Sequence, residues 1–141
     1  MKPEITALVG YRLEQADESL ESTQILIVHK QYRSAVNRAY YAMFYGVLAL
    51  LAVSDYQTSK HSGAISLFDR DFVKTGKFDK AFSRWLHEAF ELRQESDYQE
   101  LVTVSGEQAQ EVLEHARLFV AGVKTQLNPQ LSAAETTGDD T

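Results

Sequence analysis

The 141 residues contain no cysteine, which excludes disulfides, thiolate metal sites and cysteine nucleophiles and leaves the chain indifferent to a reducing compartment. Proline is nearly absent as well: Pro3 and Pro129 are the only two, both near the ends, so no proline interrupts helical periodicity between them. No apolar run reaches the ~20 residues that a membrane span needs, and Glu4 stands where a signal peptide would begin its apolar region. A cytoplasmic protein without a membrane partner is expected. The chain also lacks an excess of positive charge. With a net charge of −6 and a pI near 5.2, its surface as a whole does not attract nucleic acid, and any RNA contact must be local. Nor is there a Gly-X-Gly-X-X-Gly pattern, a phosphate loop or a Gly-X-Ser-X-Gly elbow. The four histidines, His29, His61, His87 and His115, fall on four different expected helices without metal-ligand spacing. No metal site and no cofactor are expected.

What is present is helix-forming sequence. Long stretches rich in Ala, Leu, Glu, Gln and Arg predict an all-α protein, one domain over residues 1–127. A first amphipathic helix is expected from Glu4 to His29, with Ile5, Leu8, Leu13, Ala16, Leu20, Ile25 and Val28 at helical spacing and Glu14, Asp17, Glu18 and Glu21 opposite. After a link at Lys30-Gln31, a second runs from Tyr32 to Val53; it is apolar nearly all round from Tyr40 to Ala52 and should be central. A third, from Lys60 to Lys74, ends at Thr75-Gly76-Lys77, where Gly76 suits a left-handed position. A fourth spans Phe78 to Asp97. A fifth opens after Ser105, a candidate N-cap with Gln108 three residues on, and ends near Leu127. Residues 128–141 are small, acidic and poor in apolar side chains, and predict a disordered C-terminal tail.

Two stretches bear chemistry. On the second helix Arg38, Tyr41 and Tyr45 share a face at i, i+3 and i+7. Either Arg38 pairs with an acid on a neighbouring helix and the tyrosines bond inside the bundle, or the face forms an anion pocket. Lys60-His61-Ser62-Gly63 opens the third helix, where a cation and exposed N–H groups suit a phosphate. At the end of the fourth helix, Arg93 and Asp97 stand at i, i+4, while Tyr98 at i+5 turns toward Arg93 only if the helix ends there. Ser96 and Asp97 compete for backbone bonds and favour such an end. The plain alternative is an Arg93–Asp97 surface ion pair worth under ~1 kcal/mol.

Asn37-Arg38-Ala39-Tyr40-Tyr41-Ala42-Met43-Phe44, Lys60-His61-Ser62-Gly63, Phe72-Val73-Lys74-Thr75-Gly76 and the run from Arg93 to Tyr98, in this order, resemble the HEPN domain, above all the small stand-alone prokaryotic members. The resemblance covers residues 5 to 125. It implies an up-and-down bundle of four to five helices, a homodimer with its arginine-bearing site near the dimer cleft, and a place in a toxin–antitoxin or phage-defence module. It also implies RNA or a nucleotide as ligand and a nucleotidyltransferase-like antitoxin as a protein partner. Many HEPN proteins are metal-independent endoribonucleases whose motif is an arginine followed, after four to six residues, by a histidine.

Here Tyr98 stands where that histidine is expected, after four residues. Cleavage needs a base for the ribose 2′-OH, an acid for the leaving oxygen and a cation for the charged phosphorane. Arg93 suits the cation. A phenol with an ordinary pKa of about 10 is a poor base at neutral pH, so Tyr98 suits phosphate holding or base stacking. The resemblance therefore sets Arg93, Tyr98 and Asp97 as the candidate catalytic group and Arg38, Tyr41, Lys60 and His61 as the candidate phosphate or RNA contacts. The expected function is binding of RNA or a nucleotide phosphate with weak or no ribonuclease activity. The alternative is a non-catalytic module that partners the nucleotidyltransferase.

Overall fold

The structure, a computed structural model, describes residues 1–54, 60–98 and 102–139, with side chains over 1–54, 60–97 and 102–133. Five helices form an all-α bundle: α1 (Pro3–Val28), α2 (Tyr32–Val53), α3 (His61–Phe68), α4 (Lys80–Tyr98) and α5 (Gly106–Asp139), with no strand among the described residues. The expected helix order and fold class hold. α2 is the hub and packs against each of the other four helices, most extensively against α1.

The hub role follows from composition. Tyr40, Met43, Phe44, Val47, Leu48, Leu50 and Leu51 of α2 are all buried, and each large apolar side chain so buried stabilises the fold by roughly 1.5–3 kcal/mol. Among the described residues α2 is the one helix long and apolar enough to cross a membrane, yet most of it lies inside the bundle. From α5, Phe119 and Val123 pack beside Gly46: a Cβ there would stand 3.3 Å from the Val123 side chain. Gly122 makes a closer approach, since a Cβ would fall 2.5 Å from the Phe82 ring of α4.

The helix ends follow local chemistry. Lys30, at φ 59°, takes the left-handed position after α1; its N–H donates to the Ile27 carbonyl and that of Gln31 donates to the Leu26 carbonyl. These two bonds make a Schellman motif with lysine at the place usually given to glycine. Gly76 occupies the left-handed position the sequence assigns to it, at φ 84°. Ser105 and Gln108 form the expected capping box: the Ser105 N–H donates to Gln108 Oε1 at 2.9 Å, and the Gln108 N–H donates to Ser105 Oγ at 3.1 Å.

Two boundaries differ from the periodicity. The third helix is not α throughout, for α3 passes into a π turn at Asp69–Val73, closed by the Lys74 N–H on the Asp69 carbonyl at 2.9 Å. The π turn sets Asp69 beside α4, where its Oδ2 meets His87 Nε2 at 2.6 Å. α5 runs past Leu127 through Pro129 to Asp139. Leu127 is buried and Leu131 packs on the core, so apolar contact continues where the sequence pattern thins.

Candidate functional site

The aromatic residues of α2 organise the site. Tyr40 and Tyr41 are adjacent, so their side chains leave the helix about 100° apart, and α3 and α4 close over them from two directions. Arg93 of α4 enters between the phenols: its guanidinium carbon lies 5.4 Å from the Tyr40 ring centroid and 5.2 Å from that of Tyr41. Its Nη2 donates to the Tyr41 hydroxyl at 3.4 Å. Asp97 Oδ2 stands 3.5 Å from Arg93 Nε, an ion-pair distance, but the buried Nε makes no hydrogen bond among the described residues. The pair is no open surface contact, since the Arg93 side chain is 17% exposed and that of Asp97 31%. Ser96, which the sequence marks as a helix disruptor, is buried and bonds the Arg93 carbonyl at 3.0 Å, and α4 runs on to Tyr98. The Tyr98 side chain lies outside the described residues.

His61, the first residue of α3, joins the same cluster. Its ring stacks on Phe44 at 4.2 Å between centroids, and its Nδ1 is 2.7 Å from the Tyr40 hydroxyl. Burial and then the Arg93 cation hold the imidazole below its usual pKa, so it is neutral at pH 7. Burial also pushes the Tyr40 phenol well above its usual range, against a smaller opposing pull from Arg93. At neutral pH the His61–Tyr40 pair is therefore uncharged, and Arg93 is the cation beside it.

Arg38 completes the arrangement from the other side of Tyr41, with its guanidinium carbon 5.2 Å from that ring. Its polar partner is not an acid but the buried Ser19 of α1, whose Oγ accepts from Nη2 at 2.9 Å. The guanidinium therefore keeps its full charge. Next to it lies an open pocket of about 350 Å³ lined by Leu26, Arg33, Ser34, Asn37, Arg38 and Asp97. Tyr45 packs on Tyr41 at 5.9 Å. Lys60 is exposed and precedes α3 as its N-cap residue.

The structure thus brings Arg38, Tyr41, His61, Arg93 and Asp97 together around one aromatic cluster. Two members escaped the sequence reading. Tyr40 sits inside the quoted motif but was not assigned to the site, and Ser19 is one small polar residue on a helix face that periodicity leaves unremarked. The signal for Ser19 was an uncharged polar residue within the apolar stripe of α1, at the level of Arg38.

A part-buried arginine beside two phenols, with a second arginine over one of the same rings, marks a helical bundle with a cationic–aromatic cluster at α2. A family model described as HEPN domain matches residues 9–126, and the chain belongs to the HEPN domain family. A UPF0332 protein of Thermotoga maritima is 38% identical over 117 residues, covering 83% of this chain and 89% of that one. A protein of Methanocaldococcus jannaschii named Putative toxin MJ0142 is 35% identical over 82% of this chain and 78% of its own. A second with the same designation, MJ0605, is 35% identical over 90% and 91%.

Proposed function

We propose that this chain is a toxin-like HEPN protein whose cleft binds the phosphate of RNA or of a nucleotide, with weak or no ribonuclease activity. The observation that carries the reading is the placement of Arg93: a largely buried cation beside two phenols, whose one recorded ion-pair contact among the described residues is the long one of 3.5 Å to Asp97. A desolvated guanidinium of this kind is a strong phosphate ligand. The names of the Methanocaldococcus relatives support the toxin-like part of the reading.

Cleavage is disfavoured by the same geometry. In-line attack of the 2′-OH on phosphorus needs one group to take a proton and another to give one to the departing 5′-oxygen. His61 has Nδ1 engaged with Tyr40, and its lowered pKa makes it a weaker base and leaves it without a proton to give; the Tyr40 phenol, with its pKa raised, holds its own proton too firmly to serve in either role. The cleft therefore has a cation for the phosphorane but a poorly matched acid–base pair.

The test is fluorescence anisotropy with a labelled oligoribonucleotide in EDTA, with cleavage followed in parallel on a gel. Arg93→Ala should weaken binding at least about tenfold, the equivalent of one charge-assisted hydrogen bond, while the wild-type protein cuts slowly or not at all. Equal binding by the variant and the wild type would overturn the reading. Rapid metal-free cleavage abolished by Arg93→Ala would replace it with an enzyme.

A further inference from the structure

Beside the pocket next to Arg38 lies a second, of about 400 Å³, lined by Lys30, Gln31, Tyr32, Arg33, Ser34, Thr103 and Val104. The two share Arg33 and Ser34 as lining residues at the start of α2. Together they carry three cations, Lys30, Arg33 and Arg38, against one carboxylate, Asp97, on a chain whose net charge is −6. We propose that these two neighbouring pockets form one extended subsite for the sugar–phosphate backbone of single-stranded RNA, which reaches Arg93 by way of its ion-pair partner Asp97. The inference rests on the phosphate-binding reading of that cleft and assigns the nucleotides beyond it.

Three features point to a strand rather than a lone anion. The cations are spread along the groove instead of converging: Arg33 is tied at 2.7 Å to the Val102 carbonyl at one end, and Arg38 is held by Ser19 at the other. An aromatic side chain lines the same pocket as Lys30 and Arg33: Tyr32, part-buried and held against Gly106, where a Cβ would lie 3.0 Å from its ring. Several cations in a row with an aromatic side chain among them are what a single strand uses, phosphates on the charges and a base against the ring. Lastly, Lys30 is the chain's one non-glycine residue of positive φ among the described residues. Glycine or asparagine would fit that backbone better, and lysine adds a charge at the edge of the pocket. A duplex suits the groove less well, since its charge along both strands would be carried against the acidic remainder of the surface.

The experiment compares a dinucleotide, a twelve-nucleotide single strand and a twelve-base-pair RNA duplex by anisotropy across a salt series. The Lys30→Asn/Arg33→Gln variant should bind the twelve-mer at least fivefold more weakly than wild type, with its log–log salt slope smaller by about 1.4, or ~0.7 per lost phosphate contact. Its affinity for the dinucleotide should be unchanged. Lys30→Arg/Arg33→Lys should behave as wild type. If the double variant does not fold, Lys30→Asn alone carries the test, because asparagine suits the left-handed backbone, and about half the slope change is expected. Twelve-mer binding that the double variant leaves intact but Arg93→Ala weakens would overturn the groove while the cleft stands. Failure of wild type to bind either single strand overturns both, and equal, equally salt-sensitive binding of the duplex overturns the single-strand assignment.

Discussion

At the scale of single residues, Arg93 and Asp97 were legible because i, i+4 spacing is a property of one helix, and the structure keeps the pair. The rest of Arg93's surroundings was not, because Tyr40 and His61 reach it from α2 and α3 and no one-dimensional pattern encodes such convergence. Of the two alternatives left open for Arg38, the structure does not show the acid partner: the guanidinium bonds the neutral Ser19 hydroxyl. On the proposed phosphate-binding reading, Asp97 would compete with the incoming anion for Arg93. Asp97→Asn should tighten binding of a labelled oligoribonucleotide roughly two- to fivefold, the worth of a partly exposed ion pair, measured by anisotropy; weaker binding would instead make the carboxylate a ligand contact. His61 gives a prediction in pH. Its folded pKa lies below the ordinary value, so as pH falls through ~6.5 the unfolded chain takes up a proton that the folded chain refuses. Stability conferred by neutral His61 is present above that pH and is lost on acidification until the folded pKa is reached. Urea midpoints at pH 7.5 and 5.5 should fall less for His61→Gln than for wild type.

At the scale of elements, the helices were readable wherever periodicity and caps agreed. Ser105 with Gln108 is the clearest instance, since the residue types specify both hydrogen bonds before any coordinates exist. The π turn at Asp69–Val73 was hidden because its apolar residues, Phe72 and Val73, fit an α pattern equally well; the extra residue shows only in the Lys74 bond. The long α5 was hidden by Pro129, which reads as a stop, although Leu131 beyond it packs on the core. The two left-handed positions make a paired test. Around Gly76 no atom stands within 4 Å of an added Cβ, so Gly76→Ala should cost about 1–2 kcal/mol through the backbone alone. Lys30→Gly removes a strained residue at φ 59° and should raise stability by up to about 1 kcal/mol. Opposite shifts in thermal midpoint, with unchanged helical circular dichroism, are the expected result.

For the whole molecule, composition gave the all-α class, and the buried α2 explains why a helix of membrane-spanning length is a core element of the bundle. The net charge of −6 gave the narrower statement that nucleic acid can be met only locally. The groove and cleft turn that into a number of contacts: Lys30, Arg33, Arg38 and Arg93 are the cations that a bound strand would meet. Four such contacts imply a log–log dependence of affinity on salt with slope of about −2.8, at ~0.7 per phosphate of a single strand. The acidic remainder of the surface adds a long-range repulsion that salt screens, with a Debye length of ~10 Å at 0.1 M, and so makes the measured slope shallower than the contacts alone. The two contributions separate by charge neutralisation outside the two pockets. Glu14 and Glu18 of α1 lie outside both pockets, and Glu14→Gln/Glu18→Gln should raise affinity at 50 mM salt and leave it unchanged at 500 mM. Groove variants, by contrast, should lose affinity most at low salt. A slope near zero in the wild-type protein would place binding outside this basic surface altogether.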